Sequence, residues 1–389
     1  MNCPICDYDK IEQVYPKLAQ SVTSDSKLVK CEVSNVICKN CGNIFNQKGS
    51  RNQVLEFYKN DYKLMDSSSN AEFKYFTDDK SFSYSIWRLN LLSNNHTFSK
   101  IGKILDIGCG KGNFLHEFSK KFPLWKLTGV EVSENALEFA KKRLSKAKLI
   151  EGLFDPKKIN QKFDLIVSLG VLEHVENPVE FLKSISECLN ENGVIFFDVP
   201  NFKLNPADLF VFDHLSHFTK ETILNLLRQS GLEPVQIIEF QDQLPLSIIC
   251  KKTKNNTPIV NNYFFMKNLV DEHLIFINNI FDSYEKTYQK YEKIGIFGLG
   301  IIFWAGIQNL KISKNKILHF FDENELLINK EKNGIQIKSL NDLKNFPEIP
   351  IIFSLNPCYI DRVMKKLKFF NCTLIIPSNF EYYKRFFKT

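Results

Sequence analysis

The sequence predicts an α/β protein in three parts. These are a small N-terminal metal module held by four cysteines, a central doubly wound sheet of seven strands, and a second strand–glycine–helix lobe at the C-terminus. Three observations predict this. Two CxxC pairs, Cys3/Cys6 and Cys38/Cys41, stand in the first 41 residues. Strand and helix patterns alternate from Lys103 to Lys251, which implies a parallel sheet. A glycine-rich turn between strand and helix occurs twice, at Gly108-Cys109-Gly110-Lys111-Gly112 and at Gly298-Leu299-Gly300. At 389 residues the chain is too long for one ordinary domain. The parts read as residues 1–60, 61–253 and 254–389.

The metal module comes first. The opening residues, MNCPICDYDK, lack the apolar core of a signal peptide. No apolar run reaches the ~18 residues that a membrane span needs. The expected location is therefore the cytoplasm, where a CxxC pair speaks for metal rather than for disulfides. Each CxxC turn presents two thiolates, and two such turns complete a tetrahedral shell for zinc. A filled shell leaves no open position, so Cys3, Cys6, Cys38 and Cys41 read as a structural site. Gly42 eases the second turn, Ile44-Phe45 begin a short strand, and Cys31 reads as a spare thiol.

The net charge of +7 is compatible with an anionic small substrate. The lysines are scattered rather than gathered into one basic run, which argues against nucleic acid as the partner. Residues 58–76 form a polar, aromatic stretch, with 67–70 as a loop and helix expected from there to about Ser93. Tyr62, Tyr75 and Tyr84 are candidates to line a substrate pocket or to pack one part against the next.

The central part opens with KILDIGCGKGNFL, residues 103–115. Glycines at such a turn let a ligand approach bare backbone and meet the free N–H groups of the following helix. A second strand, 126–130, ends at Glu131, placed to hold the two hydroxyls of a ribose. Leu105, Asp106, Gly108, Gly110 and Gly112 resemble the LDxGxGxG motif of class I S-adenosylmethionine (SAM) methyltransferases. That resemblance implies SAM as cofactor, with Gly108 and Gly110 against its methionine part, Asp106 behind it and Glu131 on the ribose. Asp155 becomes a candidate for the adenine. LGVLEHVENP, starting at Leu169, resembles the segment after the fourth strand of that family and brings Leu169 into the cofactor site. His174 there reads either as a wall of the cofactor pocket or as a buried, satisfied histidine.

The remaining elements follow in order. Helices are expected at 113–121, 134–147 with Ser133 as N-cap, 179–189 and 219–230. Strands are expected at 163–168, 194–199, 232–240 and 246–251, the last two as a reversed hairpin. Between the fifth strand and its helix lies FDHLSHFT, residues 212–219, where substrate-facing loops of such a sheet stand. Methyl transfer to carbon or oxygen needs a base, and a histidine held by a carboxylate suits that task. Asp213, His214 and His217 supply the parts, with His214 ahead of His217 and Asp213 as its orienting group.

The C-terminal part begins with a polar linker, 253–262, and a bridging helix, 263–293, with apolar Leu269, Leu274, Ile277 and Phe281. IGIFGLGIIFWAG then starts a second strand–glycine–helix unit, and a strand over 316–321 runs to Asp322. Phe303 occupies the third glycine position of a dinucleotide fingerprint, which argues against tight dinucleotide binding. The lobe reads as Rossmann-like, touching the nucleotide of a substrate or no ligand. Strands follow at 350–355, entering NPCY, and at 373–376.

The order of parts resembles the zinc-containing nucleotide-sugar C-methyltransferases. In that family a segment close to HEHLSYFS carries a catalytic Glu-His pair, which the resemblance places on Asp213 and His214. A tyrosine-rich segment before the SAM domain is matched, imperfectly, by Tyr62. Asp stands where the family has Glu, and SLNPCY replaces the expected C-terminal segment. The resemblance implies methyl transfer to a nucleotide-linked or related sugar, at carbon or a hydroxyl, in surface-glycan or deoxysugar biosynthesis. The competing readings are an O-methyltransferase of another small metabolite, a zinc-ribbon RNA methyltransferase, and a non-catalytic nucleotide-binding scaffold. The oligomeric state is left open.

Overall fold

The computed structural model describes residues 2–15, 18, 20–47, 51–58, 74–76, 81–240, 245–255, 257–310, 314–324, 327–347, 349–355, 359–368, 370 and 373–375. The N-terminal region contains β1 (Ile11–Gln13), β2 (Ser21–Val22), β3 (Leu28–Val29), β4 (Asn35–Cys38) and β5 (Ile44–Asn46). Helix α1 (Arg51–Glu56) follows, then the hairpin β6 (Lys74–Phe76) and β7 (Ser81–Ser83), then α2 (Tyr84–Asn95). Helix was expected from about residue 71, and this is corrected. Tyr75 pairs with Phe82 across the hairpin, as aromatic residues favour. Helix starts only where the Ser83 hydroxyl accepts the Ile86 N–H at 3.2 Å.

The central sheet is built from β8 (Lys103–Ile107), α3 (Asn113–Lys121), β9 (Lys126–Glu131), α4 (Glu134–Arg143), β10 (Lys148–Glu151) and α5 (Pro156–Ile159). It continues with β11 (Phe163–Leu169), α6 (Pro178–Glu187), β12 (Leu189–Pro200), β13 (Ser216–His217), α7 (Lys220–Gln229), β14 (Leu232–Ile238) and β15 (Pro245–Lys252). Seven strands pair in the order β10-β9-β8-β11-β12-β15-β14. All neighbours are parallel except at β15, which runs antiparallel to both β12 and β14. Strands β8, β11 and β12 read as near-continuous apolar runs because helices cover both faces. Helix α4 was expected to reach residue 147 and stops at Arg143. Leu144 instead turns inward, 6% exposed, beneath Gly112.

The cysteine region is not a separate body. Its sheet has the order β1-β4-β5-β13, so the central part's β13 supplies the last strand. Ser216 pairs with Phe45 and His217 with Ile44.

The C-terminal part comprises α8 (Tyr263–Lys290), β16 (Ile294–Phe297), α9 (Ile301–Leu310), β17 (Ile317–Asp322), β18 (Glu331–Lys332), β19 (Ile335–Ser339), β20 (Pro350–Phe353), α10 (Ile360–Leu367) and β21 (Thr373–Ile375). Its sheet order is β18-β19-β17-β16-β20-β21, parallel apart from β18. Helix α8 bridges the parts as expected. Its Met266, Val270, Phe276, Ile277 and Ile280 are buried in one apolar cluster with Ile37, Ile44, Phe210 and Trp304. Each such side chain contributes about 1.5–3 kcal/mol when fully buried, so the three parts share a core. Among the described residues no helix is long and apolar enough to cross a membrane.

Candidate active site

The cofactor side lies at the carboxyl ends of β8, β9 and β11. Gly108, Gly110 and Gly112 have φ of +76°, +52° and +74°, a region that costs other L-residues about 1–2 kcal/mol. Their surroundings differ. A Cβ on Gly108 would lie 2.6 Å from Val171 Cγ2, and one on Gly112 2.7 Å from Leu144 Cδ1. A Cβ on Gly110 would meet nothing within 4 Å. Among the described residues, then, no neighbour crowds Gly110, in contrast to Gly108 and Gly112.

Glu131 ends β9, and its carboxylate accepts the N–H groups of Gly110 at 2.8 Å and Ser133 at 2.9 Å. The backbone of Val132 also bonds to this carboxylate. Burial pushes the Glu131 carboxyl above its ordinary value. Asp106 is 2% exposed; burial, with the Glu131 charge beside it, pushes its carboxyl up to about 8. A cation arriving here would relieve both carboxylates, and SAM carries its methyl on a sulfonium. Leu169 closes β11 beside Asp198 of β12. Asp155 lies past the end of β10, and its carboxylate caps α5 by accepting the Lys157 N–H at 3.0 Å.

Arg88 of α2 was not foreseen. Its guanidinium grips buried Asp198 through two bonds of 2.6 and 2.9 Å, and its charge acts on Asp106. Arginine in a helix ahead of the glycine turn has no local signature, so only folding reveals the pair.

The loop between β12 and α7, expected to face the acceptor, forms a buried polar cluster. Its centre is Asp208, 1% exposed. His214 Nδ1 donates to Asp208 Oδ1 at 2.6 Å, His217 Nδ1 meets Asp208 Oδ2 at 2.6 Å, and Asn205 Nδ2 donates at 3.3 Å. The expectation that Asp213 orients His214 is corrected. Asp213 instead accepts from Ser24 N at 2.8 Å, Ser24 Oγ at 2.6 Å and the Tyr58 hydroxyl at 3.1 Å. Asp213 lies in the turn before β13, and its carboxylate is taken by Ser24 and Tyr58.

Burial opposes charge on Asp208, yet the two histidines outweigh it and hold the carboxyl well below its usual range. Burial likewise lowers His214, but the Asp208 carboxylate, with Asp213 and Glu173 behind it, raises the imidazole to about 9. His174 goes the other way, to about 4, through burial and the His214 charge. Glu173 is pushed to about 8 by burial, and its Oε2 has no hydrogen-bond partner.

His217 is fully buried, and its Nε2 meets Asn35 Oδ1 at 3.1 Å. Asn35 Nδ2 also donates to the Leu209 carbonyl at 2.8 Å. The cysteine region thus supplies Asn35, Ser24 and β5 to hold the loop. Asn46 N donates to the Leu215 carbonyl at 3.0 Å, and Phe212 N to that of Val22 at 2.9 Å. Tyr62 lies outside the described residues, as does the 67–70 segment.

The four cysteine sulfurs lie within 4.8 Å of one another, with Cys3–Cys41 and Cys6–Cys38 both at 3.5 Å. A tetrahedral zinc with ~2.3 Å bonds would space its sulfurs about 3.8 Å apart, so the four residues fit that ion. Asn40 N–H points at Cys38 Sγ at 3.4 Å, the kind of bond that supports a bound thiolate.

The second glycine turn behaves differently. A Cβ on Gly300 would sit 1.6 Å from the Ser354 carbonyl, and one on Gly298 2.3 Å from Leu355. Ser354 Oγ accepts the Gly300 N–H at 3.2 Å and donates to the Gly298 carbonyl at 2.8 Å. These glycines serve the packing of two strand ends, and a side chain takes the amide that a phosphate would use.

The known proteins that resemble this chain agree with the cofactor side. A family model described as a methyltransferase domain matches residues 82–237. The ubiquinone biosynthesis O-methyltransferase of Pasteurella multocida is 24% identical over 188 residues, covering 43% of this chain and 74% of that protein. The enzyme of the same description from Actinobacillus pleuropneumoniae serotype 7 is 32% identical over 186 residues, 44% of this chain and 75% of that protein. The chain belongs to the SAM-dependent methyltransferases. A solved SAM-dependent methyltransferase from Clostridium acetobutylicum is 17% identical, with a TM-score of 0.36 over 44% of this chain and 91% of that one. For this methyltransferase, SAM is the cofactor.

Proposed function

We propose that this methyltransferase acts on a small acceptor of the nucleotide-linked or related sugar type, with base-assisted transfer to carbon or to a hydroxyl. The observation that carries the reading is the His214 imidazole, held by buried Asp208 in the loop on the acceptor side of the sheet. SAM supplies an electrophilic methyl; the chain must orient the acceptor, remove its proton and exclude water. His174, His214 and Tyr58 stand together for that task, fixed from behind by Ser24, Asn35 and β5. The sugar part of the reading draws support from the three-part order: a four-cysteine region, a SAM-binding sheet and a C-terminal lobe with a parallel sheet. The site assignments to Asp106, Glu131, Leu169 and the glycines, and the structural zinc on Cys3, Cys6, Cys38 and Cys41, belong to the same proposal.

A second reading is O-methylation of another small metabolite. It is favoured by relatives described as acting in ubiquinone biosynthesis and on malonyl-acyl-carrier protein. Both are tested by incubating the purified protein with methyl-deuterated SAM and a panel of nucleotide sugars, including 4-keto forms. Mass spectrometry follows the label. Label on a ring carbon or sugar hydroxyl supports the first reading. Absence of label from every sugar, with SAM still bound, rejects it in favour of the second.

A further inference from the structure

The His174 and His214 rings stand 4.9 Å apart, yet they are anchored through different partners. His214 Nδ1 faces the Asp208 carboxylate, which stabilises a charged ring. His174 Nδ1 faces the Asp213 backbone carbonyl at 2.6 Å. A carbonyl only accepts, so the proton of His174 sits on Nδ1 and Nε2 is left as an acceptor. The Tyr58 hydroxyl meets that Nε2 at 2.9 Å and Asp213 Oδ2 at 3.1 Å. Two imidazolium charges this close repel each other, so the pair holds one, and the ring on the carboxylate takes it. Glu173 and Asp213 also face the pair, 3.8 Å and 3.7 Å from the His174 nitrogens; Asp213 favours charge on both rings, so the direct Asp208 contact is what distinguishes His214. Environments that push two titratable groups apart mark which is the acid and which the base.

We propose that His214 is a fixed proton donor to an oxygen of the acceptor, and that the acceptor's proton leaves through the Tyr58 hydroxyl to His174. The proposal rests on the reading that this loop faces the acceptor, and it reverses the role that residue type suggests for His214. The step balances. At rest the Tyr58 hydroxyl donates to Asp213 Oδ2; as the acceptor's C–H or O–H bond breaks and its proton goes to the Tyr58 oxygen, Tyr58 turns its own proton from Asp213 to His174 Nε2, 2.9 Å away. The electron pair stays on the acceptor, steadied by a hydrogen bond from His214 Nε2. That pair forms the bond to the methyl group as the methyl–sulfur bond breaks toward sulfur. Tyr58 ends neutral, and His174 ends as imidazolium.

The first test needs no acceptor. Long-range nitrogen–proton NMR on the histidine-labelled full chain, assigned with His174→Gln and His214→Gln, reads the protonation of each ring nitrogen. The expected result at pH 7 is a doubly protonated His214 and a neutral His174 protonated at Nδ1. A neutral His214 or a protonated His174 would overturn the proposal, whatever the acceptor is. With an acceptor that takes label, Tyr58→Phe and His174→Gln should each lower kcat about 100-fold or more, leaving KM and SAM affinity in place. Unchanged kcat in Tyr58→Phe rejects the relay. Metal analysis supplies a further arm. A second equivalent of metal beyond the four-cysteine ion, lost in His214→Gln, would make Glu173, His174 and His214 ligands and also reject it.

Discussion

Replacing Asp208 with Asn tests whether one buried carboxylate organises the acceptor loop. The His214 imidazole is raised from 6.5 to about 9, chiefly by Asp208 acting against burial. At about 1.4 kcal/mol per pH unit, that corresponds to ~3 kcal/mol of stabilisation. The sign follows from a raised folded-state value. The contribution is fully present below about 6.5 and is lost as pH rises through about 9. Asp208 is depressed, so its contribution is present above the ordinary carboxylate range near 3.9 and is lost as pH falls below it. Both are in force between roughly pH 4 and 6.5. Asp208→Asn should therefore cost ~3 kcal/mol at pH 6, in line with the 3–5 kcal/mol typical of breaking a buried pair. At pH 10 the cost should shrink to about 1 kcal/mol, the worth of the remaining hydrogen bonds. Urea unfolding at the two pH values measures this, and the titration of the His214 ring by NMR checks its cause. Equal losses at pH 6 and pH 10, or a wild-type His214 titrating near 6.5, would refute the reasoning.

Three other outcomes are expected. Gly110→Ala should lower SAM affinity at least ~10-fold by calorimetry, at a stability cost limited to the ~1–2 kcal/mol of left-handed strain. Gly112→Ala should instead lose stability by that strain plus ~1–3 kcal/mol of overpacking against Leu144, and a Gly110→Ala variant with normal affinity would take Gly110 out of the SAM site. Arg88→Leu should cost ~3–5 kcal/mol because Asp198 is left buried without its partner. The double change with Asp198→Leu should recover part of that loss in a thermal-unfolding cycle. Chelation or Cys41→Ser should remove one zinc per chain by elemental analysis. Hydrogen exchange should then rise across residues 208–219 while residues 104–115 keep their protection, since β13 is bonded to β5; unchanged exchange would detach the metal from the loop.

Much of the sheet was legible because its signals are local. The run Lys103–Ile107 ending in spaced glycines, the acidic tip at Glu131 and the capping hydroxyl at Ser133 each act within a few residues. Period and turn chemistry are properties of short windows. The hairpin before α2 was missed because strands of three residues are too short for a period to distinguish them from helix.

The acceptor site was legible only as a set of residue types. FDHLSHFT announced two histidines in the loop before α7, and the nearest carboxylate in sequence, Asp213, was the natural partner to assign. The carboxylate that reaches His214 is Asp208, six positions earlier, brought back by the turn at residues 206–210. Asp213 is turned away to Ser24, 189 positions distant.

The sequence by itself determined the class of sheet, the spaced glycines at the end of β8 with Glu131 at the end of β9, and a four-thiolate set able to hold zinc. Each of those is encoded by spacing along the chain. Only the tertiary structure decided which carboxylate charges which histidine, that the cysteine region lends a strand to the acceptor loop, and that the second glycine turn is filled by Ser354. Those outcomes depend on groups far apart in sequence competing for the same buried hydrogen bonds. An unsatisfied partner there costs ~1–3 kcal/mol, so the packing of the whole fold selects the pairing.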